Sequence, residues 1–184
     1  KDFLKNKSNY NQRAIDISNV RKKAATKMGA KINHYLAGMD MPDARVKIEI
    51  DELSDWTEKG IDGCEFFGIT NKGESYKPIT QIASGGEISR IMLSINLVME
   101  KVGSVGTLVF DEVDTGISGL TASNIGLLLK ELSRSRQLII ITHLPQIASK
   151  SDNHIYVYKK DFEDRVKSLV KNLKEHDHNV EIAR

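Results

Sequence analysis

Three groups of residues in this sequence have types and positions that could do chemistry. Asp111 and Glu112 follow directly on the apolar run Thr107, Leu108, Val109 and Phe110. A carboxylate at the tip of a buried strand can hold Mg²⁺ through water, while its neighbour orients and deprotonates an attacking water. The plain alternative is a pair of solvated acids, because four apolar residues followed by Asp-Glu is a common string. His143 follows a second apolar run, Leu138 to Thr142. An imidazole there could hydrogen-bond a phosphate or its attacking water, or simply cap the helix that follows.

The third group is Ser84, Gly85, Gly86 and Glu87, in "QIASGGEISRIMLSI". Ser-x-x-Glu ahead of an apolar run reads as a capping box, worth roughly 1 kcal/mol. A capping box does not need two glycines, which cost up to roughly 1 kcal/mol each inside a helix. Without Cβ atoms they open backbone N–H groups at the positive end of the helix, the arrangement that binds phosphate. The glycines favour close approach by a ligand. No G-x-x-x-x-G-K-[ST] occurs anywhere, so the loop that cradles nucleotide β and γ phosphates is missing from this chain. Three parts of an ATP site are present without its cradle.

The elements that must position these groups follow from periodicity. From Glu87 the residues Ile88, Ile91, Met92, Ile95, Val98, Met99 and Val102 match one helix face over four turns. "TASNIGLLLKELS" reads as a helix with Ala122, Ile125, Leu128, Leu129 and Leu132 inward. Continuous apolar strands alternating with helices predict a parallel sheet covered on both sides, and parallel strands would bring His143 to the same edge as Asp111. Upstream, Ile17, Val20, Ala24, Met28, Ile32 and Tyr35 predict a long amphipathic helix from about Asn11 to Ala37, stopped by Gly38 and Pro42. Its narrow stripe resembles one strand of a coiled coil running into a globular head. "ARVKIEID" and "GCEFFGIT", with the turn "NKGE", predict a β-meander up to about residue 80, and "NHIYVYKK" and "DRVKSLVKN" predict edge strands, as in a hairpin. The last dozen residues carry no clear pattern.

Composition bounds the rest. The 184 residues are 40% hydrophobic and 28% charged, the balance of a globular domain with a real core. No apolar run is long enough for a membrane span and no signal peptide opens the chain, which predicts a cytoplasmic protein without a membrane partner. The single cysteine, Cys64, has no partner for a disulfide and reads as core filler in a reducing compartment. Residues 1–31 hold nine Lys or Arg against two Asp, a net +7 within a chain of net +2. That basic arm is either an electrostatic footprint for nucleic acid or the solvated face of a long helix. The chain begins in mid-pattern without Met, which predicts a piece of a longer protein.

The strings "ASGGE", "TLVFDEVDTGISG" and "ITHLPQIA", in that order, resemble the signature motif, the Walker B with D-loop, and the switch-histidine loop of ABC-type ATPases. The longer strings "SGGEISRIMLSI", "FDEVDTGISG" and "THLPQIA" resemble most the C-terminal part of the bacterial DNA-repair family RecN, whose heads are SMC-like. The resemblance runs from about Met41 to Val157, and the leading helix fits the returning arm of the family's coiled coil. It implies an α/β fold, the C-terminal lobe of an ABC/SMC-type ATPase head, with residues 1–38 as coiled-coil helix and 39–184 as half-head, truncated at both ends.

By the same resemblance, Asp111 would sit on the Mg²⁺ side, Glu112 would be the general base and His143 the switch histidine at the γ-phosphate. Ser84, Gly85, Gly86 and Glu87 would meet ATP held by a second head, so the site is completed in trans. Asp114 to Gly119 would form the D-loop at the dimer interface, and Ser118 stands where many relatives have Asp. Implied cofactors are ATP and Mg²⁺. Implied partners are the N-terminal half of the same protein, a second head in a homodimer, and DNA. The implied function is ATP-gated engagement of heads on broken DNA in double-strand break repair, cytoplasmic and nucleoid-associated, with the isolated piece inactive.

Asp111, Glu112 and Asp114 could bind Mg²⁺ for phosphodiester chemistry in a toprim-like nuclease, but the upstream acid on offer, Glu65, falls in mid-strand. Another SMC-like head, or a non-enzymatic DNA-binding or interaction module, would suit the basic helix. The module does not explain Gly85 and Gly86.

Overall fold

The computed structural model describes residues 2–102, 105–162 and 165–183. Lys1 of the basic arm and Asp164 of "DRVKSLVKN" lie outside the described residues. The chain divides into two compact units, Lys1–Lys101 and Val102–Arg184. Its α/β content follows the predicted order of elements.

In the first unit, α1 (Asp2–Ala37) is followed by β1 (Arg45–Thr57), β2 (Gly60–Ile69), the short β3 (Lys77–Pro78) and α2 (Gly85–Val98). The three strands form an antiparallel meander in the order β1-β2-β3, with Val46 opposite Gly68 and Ile48 opposite Phe66. Ile32 and Leu36 of α1, Met41, Ala44, Val46 of β1, and Ile91 and Ile95 of α2 form the core. Helix α1 keeps Met28, Ile32 and Tyr35 of the predicted stripe buried or half-buried, but over its N-terminal part it turns a neighbouring face inward. Ala14, Ser18, Ala25, Gly29, Ile32 and Leu36 are buried, while Val20 is 66% exposed and Ile17 and Ala24 also lie open. The reason is closeness of approach. A Cβ added at Gly29 would meet the Val46 carbonyl oxygen at 3.4 Å, so small side chains are selected where the helix crosses β1.

Polar contacts fix that crossing. Asn33 pairs with the backbone of Val46 in both directions, donating Nδ2–H to its carbonyl at 3.2 Å and accepting its N–H at 2.7 Å. Ser18 donates to Asp62 at 2.7 Å and Arg21 pairs with the same carboxylate at 2.9 Å. The hydrogen bond from Ser18 and the Arg21 charge hold the Asp62 carboxyl below the usual carboxylate range against the opposing cost of burial. Cys64 is exposed, not core, because the β1–β2 hairpin runs on past the hydrophobic cluster. Glu65 lies within β2 opposite Glu49.

Helix α2 ends at Val98, and its burial is wider than one stripe. Leu93 and Leu97 are buried together with Ile91 and Ile95, whereas Met92, Met99 and Val102 are exposed.

In the second unit, β4 (Thr107–Phe110), α3 (Gly119–Leu132), β5 (Gln137–Ile140) and α4 (Pro145–Ala148) are followed by β6 (His154–Phe162), β7 (Arg165–Leu173) and α5 (Glu175–Ile182). Strands β4 and β5 are parallel, Thr107 opposite Gln137 and Phe110 opposite Ile140. Ala122, Ile125, Leu129 and Leu132 of α3 are buried as predicted, and Leu128 is half-buried. The expectation of cover on both sides fails within this chain. Phe110 is buried, but Val109 on the opposite face is 62% exposed, and Ile139 and Ile141 are open as well. Strands β6 and β7 form the antiparallel hairpin, Val157 opposite Val170. The patternless end folds as α5, which Asp177 ties to β7 through an ion pair with Lys171 at 2.6 Å. Among the described residues no helix is long and apolar enough to cross a membrane.

Candidate functional site

The parallel register decides where the candidate residues of the second unit emerge. The Ile141 N–H donates to the Phe110 carbonyl at 2.9 Å, so the ladder continues to the last residue of each strand. Asp111 and Glu112 therefore leave β4, and Thr142 and His143 leave β5, at one carboxyl edge. Ligands of open α/β sheets bind at such an edge.

The turn after β4 is tightly specified. The Asp111 carboxylate accepts the Glu112 N–H at 2.9 Å, and the Glu112 carbonyl accepts the Thr115 N–H at 3.1 Å. Glu112 has φ of 58°, in the left-handed region that a residue with a Cβ avoids. Strain at a chemically competent carboxylate is a mark of sites whose geometry matters more than local stability. Gly116, φ 72°, supplies the next left-handed position, where glycine is at home. Ser118 then caps α3, its hydroxyl accepting the Thr121 N–H at 3.4 Å. Asp and Ser are both good N-caps, so serine here keeps the helix start and drops a negative charge.

Asp111 and Glu112 are exposed, and so is His143. Asp114 is the inward acid, 4% exposed. Its Oδ2 accepts the Thr142 hydroxyl and, at 3.0 Å, the His143 backbone N–H, and it lies 3.2 Å from His143 Nδ1. Sequence reading singled out Asp114 as part of the D-loop but missed Thr142 and this connection, which joins loops 29 residues apart. Polar residues at both strand ends were the available signal.

In the first unit, Ser84 is the N-cap of α2, its hydroxyl accepting the Glu87 N–H at 3.4 Å. The Glu87 carboxylate makes no return bond to Ser84 N among the described residues, so half of the capping box forms. Neither Gly85 nor Gly86 has a positive φ, so the dihedral angles do not demand glycine there. Gly86 is buried, while Gly85 is half-buried at the helix mouth and Ser84 is exposed beside it. One turn on, Arg90 is buried. Burial pushes its guanidinium below its ordinary range, and the charges of Glu87 and Asp40 oppose that shift. Arg90 is not among the apolar positions that periodicity picks out, so no local pattern points to this internal cation.

Among the described residues no cluster of three or more His, Cys, Asp or Glu could hold a metal by itself. A single exposed carboxylate is nevertheless a fitting donor for Mg²⁺, which keeps several waters and relies on one or two carboxylates plus substrate phosphates. Asp111, exposed at the end of β4, has the chemistry of such a donor.

No protein-family model matches the chain. Proteins named DNA repair protein RecN do: that of Halalkalibacterium halodurans is 37% identical over 172 residues, 91% of this chain and 30% of that protein. The protein of Rickettsia typhi is 39% identical over 175 residues, covering 95% and 32%, and that of Bacillus subtilis is 34% identical over 186 residues, covering 93% and 32%. The chain thus spans about a third of the length of the curated relatives it matches.

Solved structures agree on the fold. The Smc head domain of Pyrococcus yayanosii, with a coiled coil and joint, superposes with a TM-score of 0.60 at 21% identity over 89% of this chain and 29% of that one. The Smc head domain of Pyrococcus furiosus, bound to the C-terminal domain of ScpA, gives 0.58 at 20% identity over 93% and 41%. A chain from work on ATP-driven dimerization and DNA-stimulated activation of SMC ATPases gives 0.52 at 21% identity over 90% and 94%.

Proposed function

We propose that this chain, RecN-like over nine tenths of its length and folded as part of an SMC-type ATPase head, is the C-terminal half of a head that hydrolyses ATP between two engaged copies. The observation that carries the reading is the shared carboxyl edge of β4 and β5, which gathers two exposed carboxylates and an exposed imidazole. On this reading Asp111 holds Mg²⁺, Glu112 takes the proton of the attacking water, and His143 hydrogen-bonds the γ-phosphate. Mg²⁺ supplies neutralisation of phosphate charge and orientation of its oxygens. Ser84, Gly85 and Gly86 present a capped helix N-terminus to the phosphate of ATP on the opposing head, with the Ser84 hydroxyl fixing the first turn through the Glu87 N–H.

The N-terminal half of the protein brings the phosphate cradle that this sequence lacks, and it covers the bare face of Val109, Ile139 and Ile141. Apolar strand faces of this kind are favourably buried at roughly 25 cal/mol per Å², which gives the two halves a reason to associate. This chain alone is therefore inactive. ATP-gated joining of two heads acts on DNA during double-strand break repair, in the cytoplasm at the nucleoid, with exposed Lys22 and Lys23 of α1 as candidate phosphate contacts.

Co-expression with the N-terminal half, followed by ATP turnover with and without Glu112→Gln, tests the reading. Turnover that depends on both halves and collapses in the variant supports it. An inactive pair, or a variant as fast as the parent, removes the ATPase assignment.

A further inference from the structure

We infer that Asp114 is a positioning residue for hydrolysis, holding the His143 ring so that Nδ1 faces inward and Nε2 is presented at the strand edge. The inference rests on the reading of His143 as the group that meets the γ-phosphate.

The three acids of "DEVD" divide sharply by burial. Asp111 and Glu112 point outward, whereas the side chain of Asp114 is 3% exposed. A buried carboxylate is costly unless its oxygens are matched by donors. Here one oxygen, Oδ2, accepts the Thr142 hydroxyl and the His143 amide N–H, and the His143 ring nitrogen Nδ1 stands 3.2 Å from it in a looser ion-pair contact. All three groups belong to Thr142 and His143, in the loop that follows β5.

The ring contact carries a consequence for the proton. An ionised carboxylate only accepts, so its oxygen 3.2 Å from Nδ1 favours the tautomer with the hydrogen on Nδ1. In the neutral ring Nε2 then has the lone pair and points away from Asp114. A carboxylate behind a histidine sets tautomer and ring orientation together, as it does for metal-bound and catalytic imidazoles. The backbone is held by the same network, because the Thr142 hydroxyl that donates to Asp114 also accepts the Leu144 N–H at 3.1 Å. His143 is thus anchored through its own amide and by the residues on both sides of it. Its side chain is 75% exposed, and among the described residues Asp114 is the one polar partner of the ring.

The test is a double-mutant cycle on ATP turnover by the full-length protein. Asp114→Asn preserves size and should lower kcat by about 10- to 100-fold with KM unchanged. In a His143→Gln background the same replacement should cost nothing further. Thr142→Val, which removes one donor from Oδ2, should lower kcat in the same direction and lose its effect in the same background. It gives the same cycle if Asp114→Asn does not fold. Additive losses, or a raised KM with kcat intact, would overturn the inference. Failure of Glu112→Gln to abolish turnover would instead indict the ATPase reading. The ¹⁵N spectrum of the His143 ring is independent of hydrolysis. It should show a proton on Nδ1 in the parent and a mixture of tautomers in Asp114→Asn, and a mixture already present in the parent would equally overturn the inference.

Discussion

Glu112 holds a left-handed backbone conformation, φ 58°, that its residue type disfavours, and that makes stability and activity separable at one position. An L-residue with a Cβ pays about 1–2 kcal/mol in this region, and glycine pays none there but is about 0.5–1 kcal/mol more expensive to order from the unfolded chain. Replacing Glu112 with Gly should therefore stabilise the fold by about 0.5–1 kcal/mol. In a chain of 184 residues that is a rise in Tm of about 1–4 °C. Glu112→Gln keeps the Cβ, the strain and the side-chain shape, so its Tm should match the parent's. Both variants delete the same negative charge beside Asp111, so the difference between them isolates the backbone. The hydrogen bond from the residue 112 N–H to the Asp111 carboxylate survives in both. Turnover by the assembled head should fall by about 10²- to 10⁴-fold in each, the range for loss of a general base. Calorimetry on this chain and ATP turnover by the assembled head together give the answer. A Gly variant that melts at or below the Gln variant would refute the stored strain, and a Gln variant with parental turnover would refute the role of the base.

Four further outcomes are expected. In urea melts, Ile32→Ala should cost about 2–5 kcal/mol as a core truncation, whereas Val20→Ala, on the open side of α1, should change stability by less than about 0.5 kcal/mol; equal costs would contradict the observed face. Gly126→Ala should destabilise despite better helix propensity, by about 1 kcal/mol net, because the new Cβ would stand 3.1 Å from the Gln146 carbonyl oxygen and 3.2 Å from Lys150 Cγ. Since Asp62 has a lowered pKa in the folded state, its contribution is present above the ordinary value of 3.8 and is lost as pH falls through the folded value. Asp62→Asn should thus flatten stability against pH in the acid range below about 4, read by melts at stepped pH. Changing Lys22 and Lys23 to Glu should weaken DNA binding by the assembled protein and reduce the salt slope by about 2 if both lysines meet phosphate, and an unchanged slope returns the arm to scaffold.

Several features were legible in the residues themselves. Apolar runs ending in Asp-Glu and in Thr-His, separated by one amphipathic helix, imply parallel strands with one shared edge, and the register of β4 on β5 realises it. That inference works because a crossover helix leaves two parallel strands little choice of direction. The start of α2 was legible for the same local reason, a hydroxyl three residues before an amide it can accept. The inward face of the N-terminal part of α1 was not, because periodicity ranks residues by apolarity while the residues buried there, Ala14, Ser18, Ala25 and Gly29, are small.

What the sequence by itself determined, then, is the order of elements and the edge to which Asp111, Glu112 and His143 are delivered, since these follow from chain-local periodicity and the handedness of connections. Only the tertiary structure decided that Asp114 turns inward to grip His143, that Glu112 is held at positive φ, and that Val109 and Ile139 stand bare. These depend on contacts between loops far apart in the chain and on surfaces still to be covered. Hydrogen bonds and close packing at that range are set by register and shape, which no window along the chain records.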